Sequence, residues 1–103
     1  MWAQLIATRL KPGCENELPR LYEQLRATEQ PGSGLVRSIA MRDQNDPSQA
    51  YMLVIFESEE HARARENDPR RQEGLQDARK IMMEIFDGAP QFTDLEVIEE
   101  TTP

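Results

Sequence analysis

The spacing of apolar and polar positions predicts that the chain opens with a strand and continues as a helix. Residues from Trp2 to Leu10 nearly alternate between apolar and polar, and Pro12-Gly13 then ends the pattern. A period of two that stops at Pro-Gly is typical of a strand followed by a turn. From about Glu15 the apolar residues recur at helical spacing, and this helix ends by Gln30 because the Pro31–Gly34 stretch cannot continue it.

Two further strands follow. Leu35 to Arg42 is predicted as the second strand, with Leu35, Ile39 and Met41 on one face. Tyr51 to Phe56 is uninterrupted apolar and aromatic sequence, the strongest strand signal in the chain. A short polar loop separates the two segments, so an antiparallel hairpin is expected.

The last part of the chain predicts a helix pair and a final strand. Ser58 is suited to cap a short helix, and Asp68-Pro69 is suited to begin a longer one. The strand from Phe92 to Ile98 completes the order β-α-β-β-α-β. This order predicts an α+β, ferredoxin-like fold, with a four-stranded antiparallel sheet and the helices on one face. A chain of 103 residues forms one domain, residues 1–103.

The third predicted strand also suggests a partner for the sheet. Helices cover one face in this fold, so the other face meets water unless something covers it. A strand that is apolar on both faces is typical of burial on both sides. Exposing three large side chains of Tyr51–Phe56 would cost about 1.5–3 kcal/mol each. A homodimer formed through the face away from the helices, a dimeric α+β barrel, is therefore predicted in preference to an apolar patch on a monomer.

Composition narrows the classes of partner. Twelve basic and nineteen acidic residues give a formal net charge of −7, which disfavours nucleic acid. No segment resembles a signal peptide or approaches the ~20 apolar residues of a membrane helix, so a cytoplasmic protein without a membrane partner is expected. One His and one Cys far apart in the sequence predict no metal site.

Three local motifs resemble the antibiotic-biosynthesis-monooxygenase-like family of dimeric α+β barrels, and the resemblance covers nearly the whole chain. The first is the Lys11-Pro12-Gly13 turn that leads into an acidic helix. The second strand opens with Gly34-Leu35 and closes with Arg42-Asp43. The third motif is the Phe56-Glu57-Ser58-Glu59-Glu60 stretch at the end of the third strand.

The resemblance implies a pocket within each protomer, between the sheet and the helices. The family includes cofactor-independent oxygenases of aromatic quinols, haem-degrading enzymes and small proteins of unknown role. In its common pattern the third motif begins with Trp and a His follows the short helix, whereas this chain has Phe56 and, near the His position, Arg65. An Asn-Trp-His set is not present at the positions of the haem-degrading branch, which disfavours haem breakdown.

Few residues have the chemistry for a catalytic role. His61 is the only side chain whose unperturbed pKa lies near neutrality, and it is a candidate base, although its short charged helix is also typical of a solvated surface. Arg65 and Arg37 are candidates to stabilise a substrate anion. The other arginines around Asp68, namely Arg63, Arg70 and Arg71, could hold an anion at the start of the helix but are interpreted as a solvated face. The candidate ligand-binding residues share an apolar character and are Phe56, Ile6, Met82 and Phe86.

Two functions remain open at this level. One is a cofactor-independent monooxygenase acting on a small aromatic or quinol-type substrate. An electron-rich, deprotonated substrate of that kind gives an electron to oxygen directly. The alternative is a non-catalytic module of the same fold for ligand binding or assembly, in which Phe56 and Arg65 mark the absence of the catalytic pattern.

Overall fold

A computed structural model describes all 103 residues and contains the predicted order of strands and helices. A short 3-10 turn precedes the first helix. The elements are β1 (Trp2–Arg9), α1 (Leu18–Ala27), β2 (Leu35–Arg42), β3 (Gln49–Phe56), α2 (Glu59–Glu66), α3 (Pro69–Ile85) and β4 (Gln91–Glu96).

The four strands form one antiparallel sheet in the order β2-β3-β1-β4. Strands β1 and β3 are central. Strands β2 and β4, the last strand in each half of the chain, form the two edges. This is the topology of the ferredoxin-like fold. The predicted fold class is therefore confirmed.

Helix boundaries follow the capping residues. Ser58 accepts a hydrogen bond from the backbone N–H of His61, and Asp68 accepts one from the backbone N–H of Arg70. These side chains satisfy backbone donors that have no partner within the first helical turn. Pro19 is the second residue of α1, where it removes no helical hydrogen bond.

Strand β2 contains an irregularity that the sequence did not reveal. Leu35 is paired with Phe56 and Arg37 with Ile55, so Val36 is an extra residue between two adjacent pairs. Beyond an extra residue, each side chain of the strand points to the opposite face from the one that regular alternation predicts. The prediction that Leu35, Ile39 and Met41 share one face is wrong for this reason, because Leu35 packs on the helix side with Phe56.

The helix side of the sheet holds two separate hydrophobic clusters. We call the first the large cluster; it comprises Leu10, Leu18, Leu21, Ala50, Leu75, Ala78 and Ile85. The second, the small cluster, comprises Val54, Phe56 and Ala62. Ala50 and Phe56 lie near opposite ends of β3, so the clusters occupy opposite ends of the sheet. The helices α1 and α3 complete the large cluster, whereas α2 completes the small one.

The opposite side of the sheet, called here the outer face, carries no helix. Its apolar side chains alternate with those of the helix side and are Leu5, Ile39, Met41, Leu53, Ile55 and Leu95. Met41 is 41% exposed and Leu95 38% exposed. None of the helices combines the length and apolar character needed to cross a lipid bilayer.

Candidate functional site

A cavity of about 660 Å³ lies between the sheet and the helices. Strands β1, β2 and β3 form its floor, and residues of all three helices form its walls. Most of its lining is apolar or aromatic, including Trp2, Ile6, Leu25, Leu35, Met52, Phe56, Leu75, Met82, Phe86 and Phe92. A concave apolar site with a few polar groups is the usual form of a small-molecule site.

The structure brings five of the seven sequence-predicted site residues together around this cavity. Ile6 lies on β1, Phe56 at the end of β3, and Met82 and Phe86 at the C-terminal end of α3. Arg65 extends into the cavity wall from α2. The other two, His61 and Arg37, do not line the cavity.

His61 lies on the solvent side of α2. Its Nδ1 is 2.6 Å from the hydroxyl oxygen of Ser58, and its Nε2 is 3.5 Å from a carboxylate oxygen of Glu57. The imidazole covers Gly34, where a Cβ atom would lie 2.5 Å from the ring. His61 therefore packs α2 against the turn before β2.

Arg37 lies on the outer face of the sheet, opposite Ile55 in the register of β2 and β3. Its Nη2 donates a hydrogen bond of 3.1 Å to Glu100 Oε1. This contact ties the C-terminal segment to the strand at the far edge of the sheet. Arg37 is separated from the cavity by the sheet itself.

Arg65 is held by a carboxylate within the cavity wall. Its Nη2 and Nε donate to Glu29 Oε2 at 2.7 and 3.1 Å, and Ser33 donates to Oε1 of the same carboxylate at 2.6 Å. Burial raises the pKa of Glu29, but these hydrogen bonds and the charges of Arg65 and Arg71 outweigh it, so the pKa lies below its ordinary value. The positive charge of Arg65 is therefore already paired.

Arg71 contrasts with Arg65. It lines the cavity from the first turn of α3, its side chain forms no ion pair, and its buried Nε has no hydrogen-bond partner. Burial, followed by the neighbouring charge of Arg65, lowers the pKa of Arg71 to about 10. A half-buried guanidinium without an anion is energetically unfavourable.

Arg71 is the functional candidate that the sequence interpretation missed, because the arginines near Asp68 were assigned to a solvated face. A signal was present. Arg71, Leu75, Ala78 and Met82 recur at intervals of four, three and four residues, which places Arg71 on the buried stripe of α3. Arg70, its neighbour, lies on a solvated face, as the interpretation predicted, and its guanidinium is paired with Asp68.

Aromatic side chains and arginines alternate at the end of the cavity near α2. The ring centroids of Trp2 and Phe56 are 6.1 Å apart with an interplanar angle of 46°. The guanidinium of Arg65 lies 5.3 Å from the centroid of Phe56, and that of Arg63 lies 5.1 Å from the centroid of Trp2. These contacts are within the range of cation–π attraction.

No His, Cys, Asp or Glu side chains are grouped in threes or more in a way that would hold a metal ion. Cys14 lies beside the large cluster, where it packs as an apolar side chain. The arrangement offers a largely apolar chamber whose lining also contains four guanidiniums, those of Arg26, Arg65, Arg71 and Arg79, and the carboxylates of Glu29 and Glu66.

Solved structures share this architecture. A mutant form of SnoaB, a cofactor-independent oxygenase from Streptomyces nogalater, is 12% identical, with a TM-score of 0.74 over 96% of this chain and 94% of its own. A candidate antibiotic biosynthesis monooxygenase from Bordetella bronchiseptica is 19% identical, with a TM-score of 0.74 over 95% of this chain and 97% of its own. A protein of unknown function from Nitrosomonas europaea is 19% identical, with a TM-score of 0.72 over 99% and 93%.

No protein-family model matches the sequence, and no curated protein matches it. At these identities, likeness to solved structures establishes the fold. The chain therefore has the fold of structures named as antibiotic biosynthesis monooxygenases, as the resemblance in its turn and strand-end motifs implies.

Proposed function

We propose that the protein is a monooxygenase that acts, without a cofactor, on a small aromatic or quinol-type substrate. The observation that carries the proposal is the apolar and aromatic cavity of about 660 Å³ between sheet and helices. The fold is that of SnoaB, a cofactor-independent oxygenase, which supports the same class of reaction. Fold alone does not define a reaction, so the cavity lining supplies the argument for the substrate.

The proposed reaction uses the substrate as the source of electrons. One ring C–H of the quinol becomes C–OH with one atom of O₂, the two quinol hydroxyls become carbonyls, and the second oxygen atom leaves with their two hydrogens as water. The balance is quinol + O₂ → hydroxyquinone + H₂O, so no external reductant is consumed. The protein contributes by holding the anion in a site of fixed dipoles and by excluding water.

Each part of the cavity has a role in this proposal. Ile6, Phe56, Met82 and Phe86 contact the aromatic body of the substrate. The guanidinium of Arg65, held by Glu29, is a positioning group that keeps Phe56 in place. A positive potential near the bound molecule favours its deprotonated form, which is the form that reacts with oxygen.

Oxygen uptake with a reduced naphthoquinol tests the reaction. We expect the protein to accelerate uptake above the spontaneous rate, and the variant A40W to lose that acceleration. Ala40 lines the cavity on β2, so an indole there occupies the space intended for the substrate. A64W is the matched control, because Ala64 is an exposed residue of α2 outside this cavity.

Equal uptake with and without the protein would refute the oxygenase. If the naphthoquinol nevertheless binds to the wild-type protein and not to A40W, the non-catalytic binding module becomes the better-supported function. The ion pair and ring contact that already engage Arg65 are consistent with that alternative.

We also propose that a second copy of the chain covers the outer face. The face is apolar, carries no helix, and leaves Met41 41% and Leu95 38% exposed. Contiguous apolar surface of this kind is uncommon on soluble monomers. Two copies related by a two-fold axis would bury the same residues on each side.

Replacing Leu53 with aspartate should convert the dimer into a monomer, because Leu53 lies at the centre of the outer face between Leu5 and Ile39. A carboxylate buried there without a partner is strongly unfavourable. Sedimentation velocity or light scattering at micromolar concentration measures the mass. M83D is the control, since Met83 is 79% exposed on α3. A monomeric wild-type protein would contradict the dimer.

A further inference from the structure

The unpaired guanidinium of Arg71 indicates a property of the ligand. Two carboxylates of the cavity wall, those of Glu29 and Glu66, lie near Arg71, and neither forms an ion pair with it. Glu29 accepts hydrogen bonds from Arg65 and Ser33. The guanidinium of Arg71 therefore has no ion-pair partner at this end of the cavity.

Other charged groups near Arg71 do not neutralise it. Glu66 is ion-paired with Arg63 through Oε1 at 3.1 Å. Arg79, about two turns further along α3, adds positive charge, and its Nη2 donates to Gln72. Around Arg71, the three guanidiniums of Arg65, Arg71 and Arg79 thus outnumber the two carboxylates of Glu29 and Glu66.

The geometry of a guanidinium restricts the anion that fits it. The two terminal Nη atoms of a guanidinium form a fork that matches the two oxygens of a carboxylate, giving two parallel charge-assisted hydrogen bonds. Nε of Arg71 is buried, so a ligand carboxylate is expected at the Nη atoms of this residue, which lines the cavity and has no ion pair. The apolar part of the lining, including Trp2, Met52 and Leu75, suits the body of an aromatic ring.

We propose that the ligand of the cavity is an aromatic carboxylic acid whose carboxylate is bound by Arg71, while its ring lies among the apolar side chains. This inference rests on the proposed function for the location of the ligand, and it defines the substrate class more narrowly. Arg71 is then the specificity-determining residue that selects anionic over neutral aromatics.

Calorimetric titration with 2-naphthoate and with its neutral isostere 2-naphthamide tests the inference at pH 7. We expect the wild-type protein to bind 2-naphthoate about 10- to 100-fold more tightly, the range for a hydrogen bond to a charged group. R71M should bind both compounds equally. R70M is the matched control, because Arg70 is exposed and paired with Asp68, and it should retain the full preference.

A third probe, 2-naphthol, distinguishes a carboxylate from other oxygen groups and should bind like the amide. If the amide and the acid bind the wild-type protein with equal affinity, the inference is wrong while an aromatic site in the cavity stands. If none of the three naphthalene compounds binds, both this inference and the proposed aromatic site in the cavity are wrong. Circular dichroism verifies that R71M is folded, and R71Q replaces it if it is not.

Discussion

Replacing Phe56 with alanine is expected to lower the free energy of unfolding by about 3–5 kcal/mol, the usual cost of truncating a buried aromatic residue. Phe56 is 3% exposed and lies in the small cluster with Val54 and Ala62. The substitution also removes the ring contact with Trp2 and the cation–π contact with the guanidinium of Arg65. Urea unfolding followed by circular dichroism measures the effect.

F56L separates volume from aromatic character in this experiment. Leucine fills much of the same space, so the loss should be smaller than for alanine, and most of it should reflect the missing ring contacts. A loss below about 1 kcal/mol for F56A would show that the small cluster collapses around the gap and contributes little to stability.

Replacing Glu29 with glutamine is expected to destabilise the protein by about 1–3 kcal/mol at pH 7, because Arg65 loses its ion pair and Arg71 loses a nearby negative charge. In a domain of this size, each kcal/mol corresponds to a fall in Tm of about 4–8 °C. The effect should depend on pH. A carboxylate whose pKa is lowered by folding stabilises the native state above its unfolded pKa and loses that contribution as pH falls through the folded value.

The difference in Tm between wild type and E29Q should therefore be constant above pH 4.5, the ordinary pKa of the Glu29 carboxyl group, and shrink at lower pH. Thermal scans of both proteins at several pH values give this comparison. S33A is the control, since it removes one hydrogen bond to Glu29 but leaves the charge in place. Parallel pH profiles for wild type and E29Q would contradict the role assigned to Glu29.

The fold was predictable because several independent signals agree. Period-two alternation at Trp2–Arg9 and the apolar run at Tyr51–Phe56 identify the two central strands. Ser58 and Asp68 cap the helices that the sequence assigns to them. Local signals of this kind depend on neighbouring residues only, so one sequence is sufficient to read them.

The bulge at Val36 was not predictable by the same reasoning. Its effect is to change which strand residues meet across β2 and β3, and that depends on pairing between distant segments. The last strand ends at Glu96, two residues before its predicted end, although the backbone N–H of Val97 still donates a hydrogen bond to the carbonyl oxygen of Met1. Nothing in the pattern of apolar residues marks that end of the strand.

Some residues of the candidate site were likewise predictable from the sequence, and others were not. Ile6, Met82 and Phe86 lie in segments whose periodicity predicts a strand or a helix, whereas Phe56 is a candidate because of its place in the strand-end motif that resembles the family. The pairing of Arg65 with Glu29 joins residues 36 positions apart, and only the packing of α2 beside the end of α1 brings them together. Sequence spacing could therefore propose Arg65 but could not show that Glu29 occupies it and leaves Arg71 free.

The separation of the large and small clusters has a consequence for motion. Helices α1 and α3 close over the seven buried residues of the large cluster, whereas α2 rests on three. Free energies of local opening follow the amount of buried contact, so amide protons of α2 should exchange with solvent faster than those in the middle of α3. Because α2 forms part of the cavity wall, we expect its local opening to widen the cavity without unfolding of the rest of the chain.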